Sequence, residues 1–270
     1  MMARRFLIAG AVLAIGFFLL VPLAAVFVEA FRAGIAAYFA ALKEPDALAA
    51  MKLSAMAVLV AVPVNTAAGL AAGWALGKFT FPGRSLVVTC LDLPFAVSPV
   101  VAGMLFVLLF GRGSLLGGWL AGHGLKVLFA PPAIFLATVF VTFPFVAREL
   151  VPLMQSLGPE EEEAARLLGA GFFRTFLRVT LPNVKWGLVY GVTLCAARAA
   201  GEFGAVSVVS GHIRGLTNTL PLHVEILYNE YRFAASFAVA SLLTGVALVS
   251  LLVKTAVEAR EGRTQERARP

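Results

Sequence analysis

Long apolar runs, separated by short polar intervals, set the pattern of this chain. Six runs stand out, at about 6–28, 53–76, 86–110, 130–147, 184–210 and 233–257. Each approaches or exceeds the ~20 residues that a helix needs to cross a bilayer. The pattern predicts an all-α, polytopic membrane protein with six transmembrane helices. The first run follows Met1-Met2-Ala3-Arg4-Arg5. It is longer than the ~7–15 residues of a signal-peptide core, so it reads as an uncleaved helix. Pro94 and Pro99 interrupt the third run. The backbone groups they free are tolerated where a helix lines a cavity or packs on protein.

One polar interval is unlike the others. Residues 160–182 read EEEEAARLLGAGFFRTFLRVTLP. Pro159 suits a first helical position, and Glu160 to Glu163 place negative charge where it complements the helix dipole. Ala164, Ala165, Leu167 and Leu168 give a small, partly apolar surface. Gly169 and Gly171 punctuate it. Phe172, Phe173, Phe176, Leu177 and Leu181 then alternate with Arg174 and Arg178, and Pro182 closes the stretch. The segment predicts a short helix, a glycine break and a second helix leading into the fifth run. It is either an interfacial hairpin or a docking knob for a partner.

Composition agrees with a membrane domain. The chain has 270 residues, of which 60% are hydrophobic and 14% charged, with a mean hydropathy of +0.90. Soluble domains are about a quarter charged. The net charge of +7 follows topology. Arg4, Arg5, Lys78, Arg84, Arg148, Arg166, Arg174, Arg178, Lys185, Lys254, Arg260, Arg263, Arg267 and Arg269 fall in one set of loops and ends. Arg32, Lys43, Lys52, Arg112, Lys126, Arg214 and Arg232 fall in the other. Fourteen against seven makes the first set cytoplasmic. Both termini and the 160–182 segment then face the cytoplasm, and the basic balance requires no nucleic acid.

Other chemistry is sparse. Cys90 and Cys195 lie in apolar runs and read as two buried thiols. His123, His212 and His223 are scattered, without metal-ligand spacing. The nearest approach to a phosphate-cradling GxxxxGK[ST] is Gly77-Lys78, but Phe79 follows and Ala72 stands where the motif needs glycine. This chain therefore has no ATP site of that kind, no metal site and no expected cofactor. Small residues recur every fourth position, at Gly69, Gly73 and Gly77 and at Gly187 and Gly191. Such stripes let helices approach closely, within one bundle or against a second subunit.

The spacing Glu163-Ala164-Ala165, three residues, Gly169, nine residues, Val179-Thr180-Leu181-Pro182 resembles the EAA loop of ABC-importer permeases. Val179 stands where that family usually has isoleucine. DLPFAVSPVVAG (92–103), ARAAGEFGAVSVVSGHIRG (197–215) and TLPLHVEILYNEY (219–231) resemble sulfate/thiosulfate importer permeases. The last two are closer to the CysW type than to the CysT type. The resemblance implies a type I permease fold in a bacterial inner membrane, and a subunit that hydrolyses no ATP itself. It implies a CysT-type sister permease, two cytoplasmic ATPase subunits and a periplasmic sulfate/thiosulfate-binding protein as partners. Glu163, Ala164, Ala165, Gly169, Leu181 and Pro182 would then form the contact with the ATPase. The implied domains are an N-terminal helix and periplasmic loop over 1–52, a permease domain over 53–256 with its coupling loop at 149–182, and a tail over 257–270.

Charges inside the apolar runs are costly, about 2.5–3.5 kcal/mol each on insertion scales. Asp92, Arg198 and Glu202 require an account. Arg198 and Glu202 are spaced i, i+4 and can pair on one helix face. Counting residues puts Arg198 in the outer half and Asp92 near the cytoplasmic side, too far apart to touch. Arg198 and Glu202, with Ser98 and Pro99, either fix helix contacts or line an anion path. His212, Arg214, Glu225 and Tyr231 in the outer segment 211–232 either dock a binding protein or build an ordinary loop. A self-sufficient channel or secondary carrier, and an importer of molybdate or tungstate, stand as alternatives. A membrane enzyme would need a nucleophile–base pair, and none is evident.

Overall fold

The structure, a computed structural model, describes the backbone of residues 2–267 and the side chains of Arg4 and residues 7–257. The tail cations Arg260, Arg263, Arg267 and Arg269 lie outside the described side chains. Among the described residues every regular element is helical. The long helices are α1 (Met2–Phe31), α3 (Pro45–Lys78), α12 (Leu181–Ala200) and α15 (Phe233–Arg267). Between α1 and α3 lies α2 (Ile35–Lys43). The third apolar run is divided into α4 (Arg84–Leu91), α5 (Leu93–Ala96) and α6 (Pro99–Phe110), followed by α7 (Leu115–Gly122). α8 (Pro131–Thr142) and α9 (Pro144–Ser156) continue one another, and α10 (Glu160–Leu167) and α11 (Phe172–Thr175) form the loop before α12. α13 (Gly204–Val209) and α14 (Leu220–Asn229) separate α12 from α15.

Four stretches are long and apolar enough to cross a membrane: Leu7–Phe31, Pro45–Lys78, Pro131–Ser156 and Phe233–Val257. A fifth is added if α6 and α7, bent by 58°, form one span. α12 is 20 residues long, but Asn183, Lys185 and Arg198 keep it outside that set. Two sequence expectations change. The third run is not one helix, because Pro94 and Pro99 each start a new segment and Val97 between them is extended (φ −90°, ψ 130°). The fifth run does not reach residue 210 as a helix. It ends at Ala200 and restarts at Gly204.

α3, α9 and α12 form the centre of the bundle, with α15 against α12 and α14, and α1 against α15. The glycine stripes explain why. A Cβ on Gly69, Gly73 or Gly77 would stand 2.6–2.7 Å from the Cβ of Val146, Leu150 or Met154 of α9. On the other side of α9, Gly187 meets Leu153, and Gly191 meets Val146 and Glu149. α9 is thus clasped between two small-residue faces. Both stripes serve contacts within the chain. Asn65, fully buried on α3, donates to Thr142 Oγ1 at 2.8 Å and to the Val139 carbonyl at 3.1 Å, tying α3 to α8. Of the two cysteines only Cys195 is buried; Cys90 lies exposed on α4.

Candidate functional site

The 160–182 segment folds as a helix, a glycine turn and a second helix. Leu168 and Gly169 end α10. The Ala170 N–H donates to the Ala165 carbonyl at 3.0 Å, and the Gly169 N–H to that of Arg166 at 2.9 Å. This closure requires a left-handed residue, and Gly169 has φ +84°. After α11 the chain widens into a π turn at Phe176–Thr180. Pro182 has no N–H to offer the Arg178 carbonyl, and the Leu181 N–H bonds instead to Phe176 O.

α10 is fastened to its own bundle on one face and bare on the other. Glu162 is buried, accepts from Thr180 Oγ1 at 2.8 Å, and pairs with Lys78 at 3.4 Å. Lys78, at the end of α3, also donates to the Gly158 carbonyl. Glu161 accepts from Asn183 at the start of α12. Trp74 of α3 packs edge-on against Phe172 and Phe176, with ring centroids 4.7 and 6.0 Å away. The outer face presents Leu167 and Leu168, each 89% exposed. Glu163, Ala164, Gly169 and Pro182 are also exposed, and Ala165 and Leu181 are partly buried. The carboxylate inside the fold is thus Glu162, beside the Glu163 of the spacing pattern. The sequence shows Lys78, Glu162 and Thr180 as a loop cation, a first-turn acid and part of the spacing pattern, and gives no sign that the three meet.

The charges of the apolar runs form two pairs. Arg198 meets Glu202 at 2.6 Å. Glu202 is buried and also accepts the Ala205 N–H at 2.9 Å. From the position before the Phe203 N-cap it thus satisfies a free N–H in the first turn of α13, where the chain restarts after Ala200. Pro99, opening α6, lies against Gly204 of that same turn. Ser98 stands exposed before it. Asp92 does not reach Arg198; its partner is Arg148 at 3.4 Å. Arg148, a loop cation by the expected end of the fourth run, lies instead within α9, which continues to Ser156.

The 211–232 segment carries its own ion pairs. Arg214 bonds Glu230, and Arg232 holds Glu44 through two contacts of 2.9 and 3.1 Å. The Arg232 guanidinium keeps the Glu44 carboxyl below its ordinary range. His212 and Tyr231 are exposed at positive φ, Arg214 is exposed, and Glu225 is half-buried with Oε2 enclosed. His223 is buried, and burial holds its imidazole below the ordinary histidine value.

The fold is a helical bundle with stretches apolar enough to cross a membrane and a tethered, partly apolar loop at one end. The chain belongs to the binding-protein-dependent transport system inner membrane component family, whose model matches residues 69–263. It is 50% identical over 265 residues to the sulfate transport system permease protein CysW of Escherichia coli K12, covering 98% of this chain and 91% of that one. It is 48% identical to the chloroplastic sulfate permease 2 of Chlamydomonas reinhardtii, over 94% of this chain and 69% of that protein. The CysT permease of Escherichia coli K12 is 36% identical, covering 91% of this chain and 88% of that one. Among solved structures, a bacterial alginate ABC transporter bound to its periplasmic protein superposes with a TM-score of 0.75 at 17% identity, over 97% of this chain and 96% of that one. That likeness shows a shared permease fold. The chain is a multi-pass membrane protein of the ABC-importer permease class.

Proposed function

We propose that this chain is one of two permease subunits of an ATP-driven importer that carries sulfate or thiosulfate into a bacterial cell across the inner membrane. The observation that carries the reading is α10. Its inner face is tied to α3 and α12, and its outer face offers Leu167 and Leu168 to a partner. That is what a segment must look like if an ATPase is to push on it and move the bundle. The relatives' names support sulfate as cargo and a CysT-type sister as the second permease. In this reading the protein has six spans, with the broken α4–α6 as the third and α12 as the fifth, and both termini are cytoplasmic. Two ATPase subunits seat the α10 loops, and a periplasmic binding protein delivers the anion to the 211–232 face. The permease supplies alternating access and hydrolyses no ATP.

The test is uptake of labelled sulfate into liposomes holding the four components, with and without internal ATP. ATP-dependent uptake blocked by thiosulfate and not by molybdate supports the reading. ATP-dependent uptake of molybdate or tungstate instead keeps the mechanism and changes the cargo. Uptake indifferent to ATP would replace the importer with a carrier.

A further inference from the structure

The Asp92–Arg148 pair sits where a charge has to be explained. Pro131–Ser156 is 26 residues long and apolar enough to cross a membrane, and Arg148 lies about two turns, roughly 12 Å, before its end. That depth is inside a ~30 Å hydrocarbon layer centred on the span. Yet the Arg148 and Asp92 side chains are 58% and 48% exposed. An arginine can reach back to the interface, whereas an aspartate is too short to do so. A half-exposed aspartate at this depth therefore faces water or protein.

The neighbouring backbone points the same way. Ala96 and Ser98 are exposed, and Val97 between them is extended rather than helical. Irregular exposed backbone at membrane depth belongs beside a water-filled cavity or a protein surface. Arg148 lies over the Phe95 ring, 5.0 Å from its centroid, and Phe95 in turn meets Phe145 edge-on at 5.1 Å. The guanidinium is held by a ring as well as by its carboxylate. The 3.4 Å contact to Asp92 is long beside the ~2.7–2.9 Å of a good charge-assisted bond. The outer pair, Arg198–Glu202, is closed at 2.6 Å, and its carboxylate is buried.

Resting on the functional reading above, we propose that Arg148 is an anion contact in the inner half of the transport path, with Asp92 as its resting counter-ion. A tetrahedral dianion presents several oxygens to the planar guanidinium fork and displaces the loosely held carboxylate. Asp92 then reclaims the arginine as the anion leaves, which keeps the contact transient. The path thus carries an arginine that its own carboxylate neutralises between passages. The segment from Asp92 to Pro99 forms part of the inner wall.

The test uses the complete reconstituted complex and the double variant Arg148→Met with Asp92→Asn, which leaves no unpaired charge behind. The expected result is sulfate uptake at least tenfold lower, with complex yield and binding-protein-stimulated ATP hydrolysis retained. Arg148→Lys should recover part of the uptake. Uptake equal to wild type would make the pair a structural tie and overturn the proposal. Loss of complex assembly would make it a subunit contact, and loss of ATP hydrolysis a coupling element; either outcome also overturns it. A wild-type complex that drives no oxyanion with ATP would overturn the functional reading itself, and the inference with it.

Discussion

At the scale of single residues, the α10 loop separates holding from touching. Leu167 and Leu168 are 89% exposed and support nothing inside the chain. Burying one leucine against a partner is worth about 1.5–3 kcal/mol. Leu167→Ser with Leu168→Ser should leave thermal stability in detergent unchanged and lower ATPase affinity at least tenfold. Unchanged co-purification of the ATPase would show that the loop docks elsewhere. Gly169→Asp should also weaken the association, because φ +84° costs an L-residue about 1–2 kcal/mol. Gly169→Asn should do so less. Glu202 carries two duties, accepting from the first turn of α13 and neutralising Arg198. Glu202→Ala should cost about 3 kcal/mol, the low end for a broken buried pair because Arg198 is one-third exposed. Glu202→Gln keeps an acceptor for Ala205 and should cost less; equal melting temperatures for the two variants would remove the Ala205 bond from the account.

At the scale of elements, the fit of α9 between two glycine faces sets the tolerance of the bundle. Gly69→Val would put a side chain 2.6 Å from Val146 and should destabilise by about 1–3 kcal/mol. Gly245→Ala on α15, with open space around it, should be neutral. Similar melting temperatures for both would contradict the close approach. α14 gives a pH dependence. Because burial lowers the His223 pKa, the unfolded chain takes up the proton first as pH falls. Stability should therefore be full above about pH 6.5 and decline below it, levelling once the folded imidazole also protonates. His223→Asn should flatten a melting series from pH 8 to 5.

Which elements were legible follows from what makes them. The runs at 6–28, 53–76 and 233–257 fall inside α1, α3 and α15 because continuous apolarity suffices to define them. The break of the third run was written in Pro94 and Pro99. The break after Ala200 was not, since Gly201 is ordinary in a membrane helix and the Glu202 bond to Ala205 exists only once α13 has turned. The i, i+4 spacing disclosed Arg198–Glu202. It had nothing to say about Lys78–Glu162 or Asp92–Arg148, whose partners meet only through folding. A lone aspartate in an apolar run did mark a charge that needed an account, without naming its partner.

At the scale of the whole molecule, loop charge predicts orientation. In a Cys90→Ser, Cys195→Ala background, Tyr231→Cys should react with a membrane-impermeant maleimide in intact cells. Leu168→Cys should react only after permeabilisation. The reverse pattern would invert the topology. The fastening of α10 to α3 and α12 has a consequence for how work travels. A lever delivers force only if its fulcrum does not yield, and here the handle is clipped to two long rods at once. α12 extends about 30 Å from that joint, so a few degrees of tilt at the handle become ångströms at its far tip, where Arg198 sits. Play in the joint would be subtracted from every stroke. Loosening Lys78–Glu162 should therefore leave the engine running while less cargo crosses per turn.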